Sequence, residues 1–142
     1  MMDNSKNNKR ILLVEDDRFL RRACEGSLRQ RGFTVLTAVD GEEGLRLARA
    51  EGPDLILLDI LMPKLPGLAM LRALKADEGT RAIPVLILSN SSRAGDRREA
   101  LDLGAVGYLV KANLSLQELG EQVTRLLEGR GDGGADGAHL AG

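Results

Sequence analysis

Three short apolar runs mark the chain: Ile11-Leu12-Leu13-Val14, Leu55-Ile56-Leu57-Leu58 and Val85-Leu86-Ile87-Leu88. Each stops at a polar residue, and none alternates polar with apolar. Unbroken runs of this length suit strands covered on both faces, as in a parallel sheet. Two weaker segments are expected as edge strands. Thr34-Val35-Leu36-Thr37-Ala38 mixes polar and apolar residues, and Tyr108-Leu109-Val110 is short and follows Gly107.

Helical patterns fill the gaps. Phe19, Leu20, Ala23, Cys24, Ser27 and Leu28 repeat at helical spacing, and Gly32 follows as a stop. The second helix is expected over Glu42 to Ala50, ended by Gly52-Pro53. Leu68, Leu71 and Leu74 mark a third after Gly67. A fourth, roughly Gly95 to Leu103, carries Arg97 and Arg98 after Arg93 and has few apolar residues, so it is expected to be the most mobile. Leu116, Leu119, Val123, Leu126 and Leu127 mark the fifth, begun at Ser115 with Glu118 three residues later, a capping-box pattern.

Regular alternation with short connections predicts an α/β domain with a doubly wound, five-stranded parallel sheet and five helices. Right-handed crossovers, with the weaker strands at the edges, give the order 2-1-3-4-5. The expected divisions are a disordered N-terminus over 1–8, one folded domain over 9–128 and a disordered tail over 129–142. That tail holds six glycines and no apolar period. Its Arg130-Gly131-Asp132 tripeptide is read as chance.

Composition narrows the function. The 142 residues carry 20 basic and 21 acidic side chains, a formal charge of −1. No overall positive field draws the chain to nucleic acid. The aromatics are Phe19, Phe33 and Tyr108, too few for a base-stacking platform. The single cysteine, Cys24, excludes an internal disulfide and any multi-cysteine metal site, and its place on the first helix's apolar stripe reads as packing. No apolar stretch reaches membrane-spanning length and Met1 to Lys9 is polar, so a cytoplasmic protein without membrane insertion is expected.

In such sheets ligands bind beyond the carboxyl ends of the strands, at the switch point between strands 1 and 3. Glu15-Asp16-Asp17 follows strand 1, Asp59 strand 3, Ser89-Asn90 strand 4 and Lys111 strand 5. Taken singly each has a plain reading: a helix cap, a loop residue, a turn serine, a solvated lysine. Together they make one polar cleft. Crowded carboxylates disfavour joint ionisation, and a divalent cation relieves the conflict. Oxygen donors favour Mg²⁺, or Mn²⁺, over Zn²⁺, with a backbone carbonyl past Asp59 completing the site. A carboxylate beside such a cation can attack phosphorus and form an aspartyl phosphate. The three phosphoryl oxygens would then fall to the cation, to Lys111, and to the Ser89 hydroxyl with a backbone N–H.

At these residues the chain resembles the receiver domains of two-component response regulators, over about residues 8 to 128. The motifs are Ile11-Leu12-Leu13-Val14-Glu15-Asp16-Asp17, then Asp54 through Asp59-Ile60-Leu61-Met62-Pro63 with Gly67, then Val85 through Ser89, then Gly107-Tyr108-Leu109-Val110-Lys111. The resemblance implies a flavodoxin-like fold and specific roles. Asp59 is the implied phosphoacceptor, assisted by Lys111 and Ser89. Asp16 and Asp59 bind the metal with the Leu61 carbonyl, and Glu15 acts mostly through water. Ser89 and Tyr108 form the switch; the alternative for Tyr108 is a half-exposed edge tyrosine. The implied donor is a histidine kinase or histidine phosphotransfer protein. The implied output is a downstream protein bound at the face of helix 4, strand 5 and helix 5, by a monomer or weak homodimer.

Three positions depart from the family pattern. Ala112 stands where the family usually has a proline in a cis bond, so Lys111–Ala112 is expected either cis under strain or trans with a shifted loop. Asn90 is larger than the usual residue after the hydroxyl. Leu61 is expected to shield an acyl phosphate from water and lengthen its life. It also stands where aspartate-nucleophile phosphatases carry a general acid, which argues against that class and against a turnover enzyme. No Gly-x-x-x-x-Gly-Lys or Gly-x-Gly-x-x-Gly phosphate loop is present. The alternatives are a constitutive adaptor that is never phosphorylated, and a domain excised from a larger regulator.

Overall fold

The computed structural model describes residues 9–62, 64–90 and 94–131. Strands and helices alternate along the chain: β1 (Arg10–Val14), α1 (Arg18–Gln30), β2 (Thr34–Ala38), α2 (Gly41–Glu51), β3 (Leu55–Leu58), α3 (Gly67–Ala76), β4 (Val85–Ser89), α4 (Ala94–Asp102), β5 (Gly107–Val110) and α5 (Leu116–Gly131). All strand pairs are parallel, and the sheet order is β2-β1-β3-β4-β5, as expected.

Period-two alternation divides the strand residues between two cores. Ile11, Leu13, Leu55, Leu57, Leu86 and Leu88 pack with Cys24 and Leu28 of α1 and with Leu119, Val123 and Leu127 of α5. Leu12, Val14, Ile56, Leu58, Val85 and Ile87 pack with Ala48 of α2, with Met70, Leu71 and Leu74 of α3, and with Ala100 of α4. The central strands are therefore apolar at every position because both faces are covered.

Helix starts follow the local sequence. The Asp17 carboxylate accepts the Leu20 N–H at 3.1 Å and caps α1. At α5 the Ser115 hydroxyl accepts the Glu118 N–H at 3.1 Å, and the Glu118 carboxylate accepts the Ser115 N–H at 2.9 Å. The expected capping box is thus present. A related pair opens α2: the cap Asp40 accepts from the Glu43 amide, and Glu43 accepts from the Val39 amide one residue before the cap, each at 2.9 Å.

One expectation needs correction. Phe19 is not part of the buried stripe of α1; it is 85% exposed, and Ala23 is exposed as well. The stripe is Leu20, Cys24 and Leu28 at four-residue spacing, which turns residues 19 and 23 roughly 100° away from the sheet. The α5 backbone runs to Gly131. The expectations for 1–8, 132–142 and Arg93 lie outside the described residues. Among the described residues no helix is long and apolar enough to cross a membrane.

Candidate functional site

The sheet brings the polar strand ends together. The Glu15 amide donates to the Ala38 carbonyl at 3.0 Å and the Asp59 amide to the Val14 carbonyl at 3.1 Å, so both residues leave the sheet still tied to a neighbouring strand. Carboxylate oxygens of Glu15, Asp16 and Asp59 lie within 4.8 Å of one another. From β5, the Lys111 Nζ reaches across to Glu15 Oε1 at 2.8 Å and to Asp59 Oδ2 at 3.1 Å. Glu15 and Asp59 are buried, whereas Asp16 is exposed.

Backbone donors and one arginine fix these groups. Glu15 Oε2 accepts the Asp17 N–H at 3.0 Å, and Asp59 Oδ1 accepts the Leu61 N–H at 3.0 Å. The Arg21 guanidinium donates to the Glu15 carbonyl at 2.9 Å and to the Asp16 carbonyl at 3.3 Å. Asp17 is the α1 cap, so the capping reading applies to that residue, and Asp16 is left beside the cleft.

Burial raises the Glu15 carboxyl above its ordinary 4.5. The Lys111 ammonium and the Asp17 amide oppose that rise, and the Asp59 charge adds to it. Burial also disfavours the Lys111 ammonium. The contacts with Glu15 and Asp59 together outweigh it and hold the lysine above its ordinary value, cationic across the neutral range. Beneath the cleft, burial pushes the Cys24 thiol up to about 11, with the Glu15 charge assisting, which suits a packing residue rather than a nucleophile.

The donor chemistry fits a hard divalent cation. The three clustered groups offer oxygen only, the donor type that Mg²⁺ and Mn²⁺ take, and Glu15 Oε1 is already paired with the Lys111 ammonium at 2.8 Å.

Ser89 ends β4 fully buried, in register with Val110. Tyr108, opposite Ile87, is buried on the α3–α4 side, which excludes the half-exposed alternative for its placement. By strand alternation Ser89 shares that face, diagonal to Tyr108. Leu61 projects at the rim, 54% exposed. Asn90 and Ala112 line an open groove with Asp17, Phe19, Leu20 and Lys111. The Lys111–Ala112 bond is trans, like every described peptide bond, and Lys111–Asn113 forms a single 3-10 turn.

Sequence reading missed Arg21, which holds two carbonyls of the acidic run, and the pair Asp40–Lys64 at 3.6 Å, which ties the cap of α2 to Lys64. The Glu43 amide, with the Lys64 charge nearby, keeps the Asp40 carboxyl below its ordinary range. An arginine four residues past an acidic run was a usable signal for the first. Nothing in the linear pattern joins residues 40 and 64.

Comparison with known proteins gives a consistent result. A family model described as the response regulator receiver domain matches residues 11–124. The transcriptional regulatory protein PrrA of Mycobacterium tuberculosis is 44% identical over 130 residues, covering 92% of this chain and 54% of that protein. The gliding motility regulatory protein of Myxococcus xanthus is 43% identical over 118 residues, covering 82% of this chain and 15% of that protein. The chain thus spans about half the length of PrrA. Among solved structures, the receiver domain of a Francisella response regulator aligns with a TM-score of 0.78 at 30% identity, covering 85% of this chain and 98% of that one. The receiver domain of a sensor histidine kinase from Pseudomonas aeruginosa, which holds a coordinated magnesium ion in its active site cleft, gives 0.78 at 32% identity, with the same coverages of 85% and 98%.

Proposed function

We propose, for a chain that belongs to the response regulator receiver domain family of two-component signalling, that Asp59 accepts a phosphoryl group from a phosphohistidine donor. The observation carrying this reading is Lys111 Nζ set between Asp59 and Glu15 within an acidic cluster that fits a hard cation. Asp16, Asp59 and the Leu61 carbonyl would hold Mg²⁺ or Mn²⁺, with Glu15 acting through water. When bound, the cation neutralises charge on the transferring group. A carboxylate oxygen of Asp59 forms the new bond to phosphorus as the bond to the histidine nitrogen breaks, and that nitrogen keeps the electron pair. Lys111, already beside Asp59, binds one phosphoryl oxygen, and the Ser89 hydroxyl moves in to bind another.

The added charge then biases a two-state equilibrium. Ser89 and Tyr108 lie on the face that α4 covers, so movement of the hydroxyl toward the phosphoryl group alters the packing beneath α4. The output is a protein contact at α4, β5 and α5, where Arg97 and Arg98 are exposed toward an acidic partner. Transcriptional regulation belongs to the longer PrrA, of which this chain spans about half. The complete acidic set and the paired Lys111 favour phosphoacceptance over a constitutive adaptor.

The test is intact mass after incubation with a small phosphodonor and Mg²⁺. The expected result is a gain of one phosphoryl group, absent after chelation and absent in Asp59→Asn. An unmodified native chain that still binds Mg²⁺ would favour the adaptor.

A further inference from the structure

Two helix starts press against described residues that follow β3: one lies against Asp59 and Ile60, the other against Leu65. Gly67, the first residue of α3, lies so close to the Asp59 carbonyl and the Ile60 Cα that any Cβ there would overlap both. Its amide donates to the Ile60 carbonyl at 3.3 Å. Gly41, the first residue of α2, lies equally close to Leu65: a Cβ would overlap the Leu65 carbonyl oxygen and sit 2.9 Å from its Cβ. Beside that contact Asp40 pairs with Lys64 at 3.6 Å, and Lys64 has φ 60°, the only positive φ at a described non-glycine residue. A residue with a Cβ holds that conformation when its surroundings enforce it.

Both glycines are the first residues of their helices, and neither has a positive φ that would call for glycine. The absence of a side chain is therefore explained by what lies against it. At Gly41 that neighbour is main chain of the acceptor segment, which cannot rotate away. The neighbours of Gly44, one turn further along α2, are side-chain atoms of Met70 and Val14 at 3.0 Å, of which the flexible Met70 end can shift.

We propose that Gly41 is a positioning residue for the acceptor site: the bare start of α2, reinforced by Asp40–Lys64, seats Leu65 so that the segment's near end holds the Leu61 amide on Asp59 Oδ1. This deepens the phosphoacceptor reading and rests on it for its consequence in metal binding, although the backbone effect stands without it. Displacing Leu65 outward loosens the return to Gly67, and with it the hydrogen bond that orients the Asp59 carboxylate.

The experiment compares Gly41→Ala with Gly44→Ala in the full chain, using two readouts. Amide hydrogen exchange at Leu61 is measured without metal, and the Mg²⁺ dissociation constant is measured by calorimetric titration. Both variants are expected to lose thermal stability. Only Gly41→Ala is expected to speed exchange at Leu61 selectively and to weaken Mg²⁺ binding by about tenfold, as loss of an outer support does. Asp40→Asn keeps a capping oxygen and loses the charge; it is expected to shift both readouts the same way by less, and it decides the matter if Gly41→Ala does not fold. Equal behaviour of the two glycine variants, or Leu61 exchange that follows global stability alone, would overturn the inference. A native chain that binds no Mg²⁺ would overturn the metal reading, and the exchange comparison would still decide the positioning role.

Discussion

On one face of the sheet α1 and α5 are seated by large side chains: Leu28, Leu119, Val123 and Leu127 all enter the core, with Cys24 between them. On the opposite face α4 is held by one fully buried residue, Ala100, with Leu103 packed beyond its end and Leu101 41% exposed. The two faces share the same central strands, so the difference lies in the helices. An element with little buried apolar area opens at the lowest free energy, and a site that changes state draws on such an element. Ser89 and Tyr108 face that weakly held side, while Asp59, Ile60 and Leu65 lie in close contact with two helix starts. Under the proposed function this would separate a rigid site for chemistry from a loose reporter.

The largest expected effects come from the cores themselves. Leu119→Ala on α5 is expected to cost about 2–5 kcal/mol in urea unfolding. Ala100→Gly on α4 should cost about 1 kcal/mol, near the intrinsic helix penalty. Equal losses would erase the contrast between the faces. Next comes Lys111→Met, expected to slow phosphorylation from a small donor by about 100-fold or more, as loss of one preorganised charge does. Its slow-label kinetics should persist at saturating Mg²⁺. Ser115→Ala should cost about 1 kcal/mol by removing one half of the α5 capping box, measured by thermal unfolding. The α4 region should show unchanged exchange in that variant.

The smallest effect is the pH dependence, and it comes from Glu15. Its folded pKa lies above the ordinary 4.5, chiefly through burial. On acidification the folded chain takes up this proton before the unfolded chain does. The stability it contributes is therefore fully present below the unfolded value and lost as pH rises through the raised folded value. Mg²⁺ binding would require the ionised form, so affinity should weaken on acidification at a higher pH than an exposed glutamate would allow. Glu15→Gln should flatten that part of the profile in a calorimetric titration series.

The strands were legible because burial on both faces leaves no alternative to a continuous apolar run, as Leu55 to Leu58 shows. The acidic residues and Lys111 were legible because strand ends in a doubly wound sheet converge, and the spacing of the runs locates those ends. Phe19 was not, because apolar spacing alone does not say which side of a helix's first turn meets the sheet. The supports of the acceptor segment were hidden for a different reason. Gly41 reads as a helix position of low propensity, and only its approach to the Leu65 main chain, 24 residues away in sequence and adjacent in space, gives it a role.

The central claim is that modification at Asp59 is reported through the α4 face and leaves the α1–α5 face still. Amide hydrogen exchange across the chain, with and without excess small phosphodonor in Mg²⁺ buffer, tests it directly. The account predicts changed protection at Ser89, through α4 and along β5, with Cys24, Leu28 and Val123 unaltered, and no change anywhere in Asp59→Asn. Protection that changes equally on both faces, or changes identically in Asp59→Asn, would contradict it.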